Sequence, residues 1–209
     1  YALADVFDRV NGDDDVRVVI VTGAVRAFCA GADVSAGEDA FKFEYAHPEP
    51  VERPDGTLDY SVENARDGGG LISLNIYECL KPVIAAINGA AVGVGGTLPL
   101  PMDVRLASTK ARFGFVFSRR GICLDAASSW FLPRAVGLSR SLEWALSGRI
   151  FDADEALEAL VGRSLHPPEE LLDAARANAR DLFADTAPVS VAVNRALLWQ
   201  LFSAPHPKE

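Results

Sequence analysis

Lys81-Pro-Val-Ile-Ala-Ala-Ile-Asn-Gly-Ala-Ala-Val-Gly-Val-Gly95 is the stretch on which the fold turns. Pro82 closes whatever helix precedes it, because proline disfavours the helical region for the residue before it. Residues 83–87 are then apolar without a break. Such a run suits a strand buried on both faces, as in a parallel sheet. From Asn88 the chain turns to small residues, and Gly93, Gly95 and Gly96 allow backbone to approach closely. A buried strand that ends in a small-residue turn is the rhythm of an α/β architecture.

The same rhythm continues outward. Leu71, Leu74, Ile76 and Leu80 sit at helical spacing before the strand, and Leu3, Val6, Phe7 and Val10 mark an earlier helix. Asn11-Gly-Asp-Asp-Asp stops that helix, and residues 16–22 form a β-branched strand. Ala27-Phe-Cys-Ala-Gly-Ala-Asp33 is a second small-residue turn after a strand. Further strands are expected at 104–108 and 112–117. Helices are expected at 126–131 and 140–147, from Asp152, whose acidic first turn suits the helix dipole, and over 169–185 and 188–202. The expected organisation is an α/β core over residues 1–137 and a helical C-terminal region over 138–209. Residues 36–70 are a long polar excursion with Pro48, Pro50 and Pro54, ending in Asp67-Gly-Gly-Gly. Such a stretch inside a compact domain is functional or a mobile surface loop, and the residues leave both readings open.

Composition narrows the function classes. The chain has 209 residues, 49% apolar and 23% charged, which describes an ordinary globular domain with a sizeable core. The formal net charge of −9, with no Lys/Arg cluster, argues against a nucleic-acid partner. It leaves room for a local basic pocket. No apolar run approaches the roughly 20 residues of a membrane span, so no membrane partner is expected. Cys29, Cys79 and Cys123 are too scattered for a disulfide framework or a zinc site. A reducing, cytoplasmic setting and no metal are expected.

Two small-residue turns after strands matter because ligands of α/β folds bind at strand carboxyl ends. Paired backbone N–H groups there form an oxyanion hole. The competing reading is close helix–strand packing alone. Gly93-Val-Gly-Gly lacks the spacing of a dinucleotide fingerprint and the Lys of a P-loop.

Taken together, the motifs carry a resemblance. Arg26-Ala-Phe-Cys-Ala-Gly-Ala-Asp33 and the Lys81–Gly95 stretch resemble the crotonase superfamily, the enoyl-CoA hydratase/isomerase family. Asp103-Val-Arg-Leu-Ala-Ser, Ala111-Arg-Phe-Gly, Leu132-Pro-Arg-Ala-Val-Gly, Ser147-Gly-Arg-Ile-Phe-Asp-Ala-Asp-Glu-Ala and Ala187-Pro-Val-Ser follow in the family's order. The resemblance covers nearly the whole chain, with the family's opening strands expected before Tyr1 and its last segment after Glu209. It implies a crotonase-like spiral of ββα units with a helical C-terminal trimerisation region, and hence a homotrimer or a dimer of trimers. It implies an acyl-CoA substrate, with CoA as part of the substrate and no separate cofactor. The backbone N–H groups of Ala32 and Val94 match the oxyanion hole. Val94 stands where the family usually has Gly, and a β-branched residue restricts the backbone. Arg26, Phe28, Ala30, Asp33, Gly93, Gly95, Thr97 and Phe117 match positions around the substrate, and the 36–70 loop matches the variable region beside the acyl pocket. Arg26 equally fits a solvated surface role.

The chemistry turns on one acid. The resemblance places the two glutamates of a hydratase at Thr97 and Phe117, and neither residue can move a proton. Asp125 remains, in Gly121-Ile-Cys-Leu-Asp-Ala-Ala-Ser-Ser. Its apolar neighbours Ile122, Leu124 and Phe117 raise a carboxyl pKa towards that of a useful base. Its position matches the aspartate of the dienoyl-CoA isomerase and chlorobenzoyl-CoA dehalogenase branches. The competing reading is a helix N-cap. One carboxylate can shuttle one proton between two carbons, so double-bond isomerisation is favoured over hydration. The alternative is a non-catalytic acyl-CoA-binding or scaffolding member of the family. Phe117 at the dehalogenase's Trp position weakens the dehalogenase reading. Asp33 reads as a brace for its turn, and Glu38, Asp39 and Glu44 could supply a second acid, with nothing to single one out. His47, His166 and His206 each lie in a loop-like context without triad or metal spacing. Cys29 and Cys123 read as small apolar residues. Arg119 and Arg120 face CoA phosphates, a neighbouring subunit or solvent.

Overall fold

The computed structural model describes residues 2–33, 35, 51–60, 62, 65, 67–202 and 204. The elements follow in the order α1 (Ala2–Asn11), β1 (Val19–Thr22), β2 (Ala27–Cys29), α2 (Gly68–Glu78), β3 (Val83–Ile87) and β4 (Ala90–Val92). Next come the single turn α3 (Val94–Thr97), β5 (Val104–Ser108), β6 (Arg112–Gly114), α4 (Ser128–Val136) and α5 (Leu138–Ser147). The chain closes with β7 (Ile150–Asp152), α6 (Ala153–Ala156), β8 (Gly162–His166), α7 (Leu171–Phe183) and α8 (Pro188–Leu201).

From β1 to β6 consecutive strands alternate between two sheets, after which β7 joins the second sheet and β8 the first. One sheet has the order β1-β3-β5-β8 and is parallel throughout. The other has the order β2-β4-β6-β7, with only β7 antiparallel. Strand pairs that feed both sheets in turn are the ββα spiral that the resemblance implies.

The run over 83–87 explains itself in this arrangement. Every residue of β3 is buried. Val83, Ala85 and Ile87 face the main core, with Phe113, Phe115 and Leu132. Ile84 and Ala86 face the opposite side, where Leu106 and the α7 residues Leu171 and Ala175 cover them. A strand covered on both faces has no polar side, so its sequence shows no alternation.

Three expectations need correction. Residues 27–29 and 90–92, read as parts of turns, are the short strands β2 and β4. They are three residues each, too short to show a period-2 pattern. The strands do not end near residue 120: β7 and β8 lie within 138–209 and complete the two sheets. The expected strand over 112–117 is shorter, because after Gly114 the chain leaves β6 for a 3-10 turn at Ser118–Arg120.

Arg195 of α8 is buried, against the expectation for a helix of mixed apolar pattern. Its Nε donates to Asp103 Oδ1 and Oδ2 at 2.9 Å. Its terminal nitrogens donate to the carbonyl oxygens of Tyr77, Cys79 and Ile76 at 2.6–2.8 Å. The guanidinium therefore satisfies the orphan carbonyls at the end of α2, where a cation also suits the helix dipole. Asp103 Oδ2 in turn accepts from Val83 N–H at 2.8 Å. This one residue locks α8 onto the entry to β3.

Candidate active site

The two small-residue turns meet at the ends of β2 and β4. Gly31 has φ +105° and Gly93 φ +59°, conformations that L side chains rarely adopt. A Cβ at Gly93 would lie 3.7 Å from Gly31 Cα, and one at Gly31 would lie 3.2 Å from Val92 O. The turns are thus in backbone contact. Gly95 is packed against Cys29: a Cβ there would fall 1.9 Å from Cys29 O. No other residue fits at 95.

Each turn carries a backbone N–H without an acceptor among the described residues. Among the described residues, the N–H groups of Ala32 and Val94 find no acceptor. Val94 opens α3, so its N–H has no partner within the helix. Val94 takes an ordinary helical conformation there, which a β-branched residue adopts. Its side chain needs room beside α2. A Cβ at Gly69 would lie 2.8 Å from Val94 Cγ2, so Gly69 supplies that room.

Both turns line a pocket of about 150 Å³, together with Ala30, Val116, Phe117, Arg120, Ile122 and Asp125. The lining is apolar apart from Arg120, Asp125 and the turn backbone. Asp125 is half-buried in it. Burial pushes its carboxyl up, the nearby Asp67 carboxyl pushes in the same direction, and a hydrogen bond from Thr97 opposes them; the result is about 6 against 3.8. Thr97 Oγ1 lies 3.1 Å from Asp125 Oδ1 and 3.1 Å from Val94 O. The Thr97 hydroxyl therefore touches both Asp125 and the second turn.

Asp125 does not cap the following helix. The N-cap of α4 is Ala127, with no side-chain cap bond. The Asp125 carbonyl, not its carboxylate, accepts the Ser128 N–H at 2.8 Å. The competing N-cap role is thereby excluded, and the carboxylate, bonded to the Thr97 hydroxyl, lines the pocket. Immediately after it, Ala126 and Ala127 have φ +54° and +53°. Two successive left-handed alanines cost roughly 1–2 kcal/mol each. Such strain persists only where the surroundings enforce it, and it concentrates at functional sites.

Of the residues expected around the substrate, Ala30, Gly93 and Phe117 line the pocket. Thr97 is fully buried behind it and reaches Asp125. Arg26, Phe28, Asp33 and Gly95 are not in its lining. Arg26 is exposed, and Phe28 packs on the main core. Asp33 Oδ1 accepts from Ser35 N–H at 2.9 Å and so braces its own turn. His166 sits on β8, with Nε2 2.7 Å from Ser164 Oγ and away from the pocket. Glu38, Asp39, Glu44, His47 and His206 lie outside the described residues. Among the described residues no helix is long and apolar enough to cross a membrane.

One residue behind the site, outside the pocket lining, escaped the sequence reading. Asp67 caps α2, its Oδ1 accepting from Gly70 N–H at 2.7 Å. The same carboxylate accepts from Ala126 N–H, at 3.3 and 3.2 Å to its two oxygens. Asp followed by a helical apolar pattern is an N-cap signal, and that signal was present in the polar excursion.

This geometry has counterparts. A profile of the enoyl-CoA hydratase/isomerase family matches residues 65–204. The enoyl-CoA hydratase ACTT3 of Alternaria alternata is 34% identical over 204 residues, 97% of this chain and 63% of that protein. The 1,2-epoxyphenylacetyl-CoA isomerase of Escherichia coli K12 is 34% identical over 180 residues, 86% of this chain and 64% of that protein. The crystal structure of a probable enoyl-CoA hydratase/isomerase from Mycobacterium abscessus superposes with a TM-score of 0.79 at 30% identity, covering 99% of this chain and 72% of that one. The chain thus spans about 63% of the length of the first of these relatives. Two sheets fed alternately, two facing turns and a family profile over two-thirds of the sequence agree: the chain belongs to the enoyl-CoA hydratase/isomerase family and has its crotonase fold.

Proposed function

We propose that the protein is an enzyme that moves a double bond in an enoyl-CoA thioester. The observation that carries this reading is a raised carboxyl, Asp125, the only one among the described residues that line this apolar pocket, beside two N–H groups without an acceptor among those residues. The thioester oxygen takes the Ala32 and Val94 N–H groups. Asp125 in its carboxylate form removes a proton from a carbon of the acyl chain. The electron pair moves into the thioester as an enolate, which the N–H pair stabilises. The Asp125 carboxylic acid then returns that proton to a different carbon, and the double bond has moved with nothing gained or lost. A midpoint of about 6 suits this exchange, because base and acid are both accessible near neutral pH.

Hydration needs two acid–base groups, and their expected places hold Thr97 and Phe117. Phe117 is buried and apolar. The test is a panel of enoyl-CoA thioesters assayed with the wild type and Asp125→Asn. Conversion between double-bond isomers that the substitution abolishes is expected. Acyl-CoA binding without turnover on any member of the panel would instead favour the scaffolding reading.

Oligomerisation is part of the proposal. Leu138, Leu142 and Leu146 form an exposed stripe along α5, and Val189, Val193 and Leu198 are exposed on α8. Large exposed apolar surfaces of this kind mark interaction sites. They support a homotrimer, or a dimer of trimers, in solution.

A further inference from the structure

Asp125 lies on a strained segment, and something must hold that segment in place. Thr97 holds the Asp125 carboxylate, and Ser128 holds the Asp125 carbonyl through its N–H and hydroxyl, which leaves the Ala126 N–H to be anchored. The N–H of the next residue, Ala126, points away from the pocket's reacting groups and onto Asp67. Ala126 is fully buried and is the first of the two left-handed alanines. Asp67 itself is fixed at the start of α2 by the Gly70 N–H. The glycines after it allow the close fit: a Cβ at Gly69 would meet Val94 Cγ2 at 2.8 Å and Ala126 Cβ at 3.3 Å. The N-terminus of α2 is therefore wedged between the second turn and the Asp125 segment.

We infer that Asp67 is a positioning residue for Asp125, tying its segment to α2 and supplying the negative charge that faces its carboxylate. The inference rests on Asp125 being the group that transfers the proton. Asp67 does not line the pocket and does not touch the substrate site. Its two roles are separable. As a tether, it holds Ala126 and so fixes where Asp125 points, and small displacements of a reacting group cost large factors in rate. As a like charge, it favours the protonated form of Asp125. The other groups facing Asp125 among the described residues are the Thr97 hydroxyl and the guanidinium of Arg120 across the same pocket. Arg120 is exposed at the pocket's edge, and neither variant below removes it.

Two variants separate the roles. Asp67→Asn keeps an oxygen for Gly70 and Ala126 and removes the charge. Asp67→Ser keeps a good helix cap but is too short to bridge to Ala126. Carboxyl titrations followed by carbon NMR on the unliganded protein, and pH–rate profiles on a 3-enoyl-CoA thioester, read both. For Asp67→Asn, the Asp125 midpoint is expected to fall from about 6 towards 3.8. The acid limb of the rate profile should follow it, with the plateau kcat within a few-fold of wild type. For Asp67→Ser, kcat is expected to fall about 10-fold or more with KM little changed, as for a misplaced reacting group. An unmoved Asp125 midpoint in Asp67→Asn, or a wild-type kcat in Asp67→Ser, overturns the inference. The titration does not depend on turnover. Undiminished activity of Asp125→Asn is a different failure, one that sinks the isomerase reading instead.

Discussion

Replacing Asp125 with Asn should make the protein more stable and inactive at the same time. In the folded protein the carboxyl titrates at about 6, against 3.8 when exposed. A rise of that size is worth about 3 kcal/mol in favour of the neutral form. Asp125 is only half-buried, and solvent screening reduces the figure to about 1–2 kcal/mol. Between pH 3.8 and 6 the folded state holds this proton more firmly than the unfolded chain does. Stability contributed by the group therefore falls as pH rises through that window, and the whole cost is present above it. Asn is uncharged at every pH and avoids the cost. Urea unfolding at pH 8 should show Asp125→Asn more stable than wild type by about 1–2 kcal/mol, with the difference shrinking to a few tenths at pH 4. Enoyl-CoA turnover by the same variant should fall by about 10²-fold or more, the usual worth of a positioned acid–base group. A variant less stable than wild type at pH 8 would refute the reasoning, since it would mean that the ionised carboxylate supports the fold.

Other parts of the structure make separate predictions. Arg195→Ala should destabilise the protein by about 3–5 kcal/mol in urea unfolding, because it leaves Asp103 and several carbonyls buried without their partner. Gly69→Ala should lower activity by pushing on Val94 Cγ2, and the second change Val94→Gly should restore it, as steady-state assays of the single and double variants would reveal. Ala127→Gly should relieve a left-handed alanine and add about 1 kcal/mol to the stability of unfolding. It should lower kcat, because Asp125 then sits on a looser segment. Leu142→Glu, on the exposed α5 stripe, should reduce the mass measured by light scattering from a trimer or hexamer to a monomer.

Much of this was legible in the sequence, for reasons that differ by element. Residues 83–87, apolar and buried throughout, and 104–108, buried from Leu106 to Ser108, were recognisable as strands, and their boundaries fall where the structure has them. The strands β2, β4 and β7 were hidden because three residues hold no periodicity, and the sheet partners that define them lie 22 to 63 positions apart, as in the pairs Ala90↔Arg112 and Ala27↔Ala90. Asp125 was singled out mainly by its match to the aspartate of related branches, and its apolar sequence neighbours Phe117 and Ile122 do line the same pocket. Asp67 was missed because its second role is a bond to Ala126, 59 positions away, which no local pattern records. Val94 looked like a defect in the oxyanion turn. The structure removes the difficulty through Gly69, a residue that the sequence offered only as part of a glycine run.

The central claim is that Asp125 moves one proton between two carbons of an enoyl-CoA. The most direct measurement incubates a 3-enoyl-CoA thioester with the protein in heavy water and follows the acyl chain by proton NMR. The account predicts conversion to the 2-enoyl isomer, no 3-hydroxyacyl product, and loss of both conversion and carbon-bound deuterium exchange in Asp125→Asn. Accumulation of 3-hydroxyacyl-CoA, or exchange that proceeds unchanged without the Asp125 carboxylate, would contradict it.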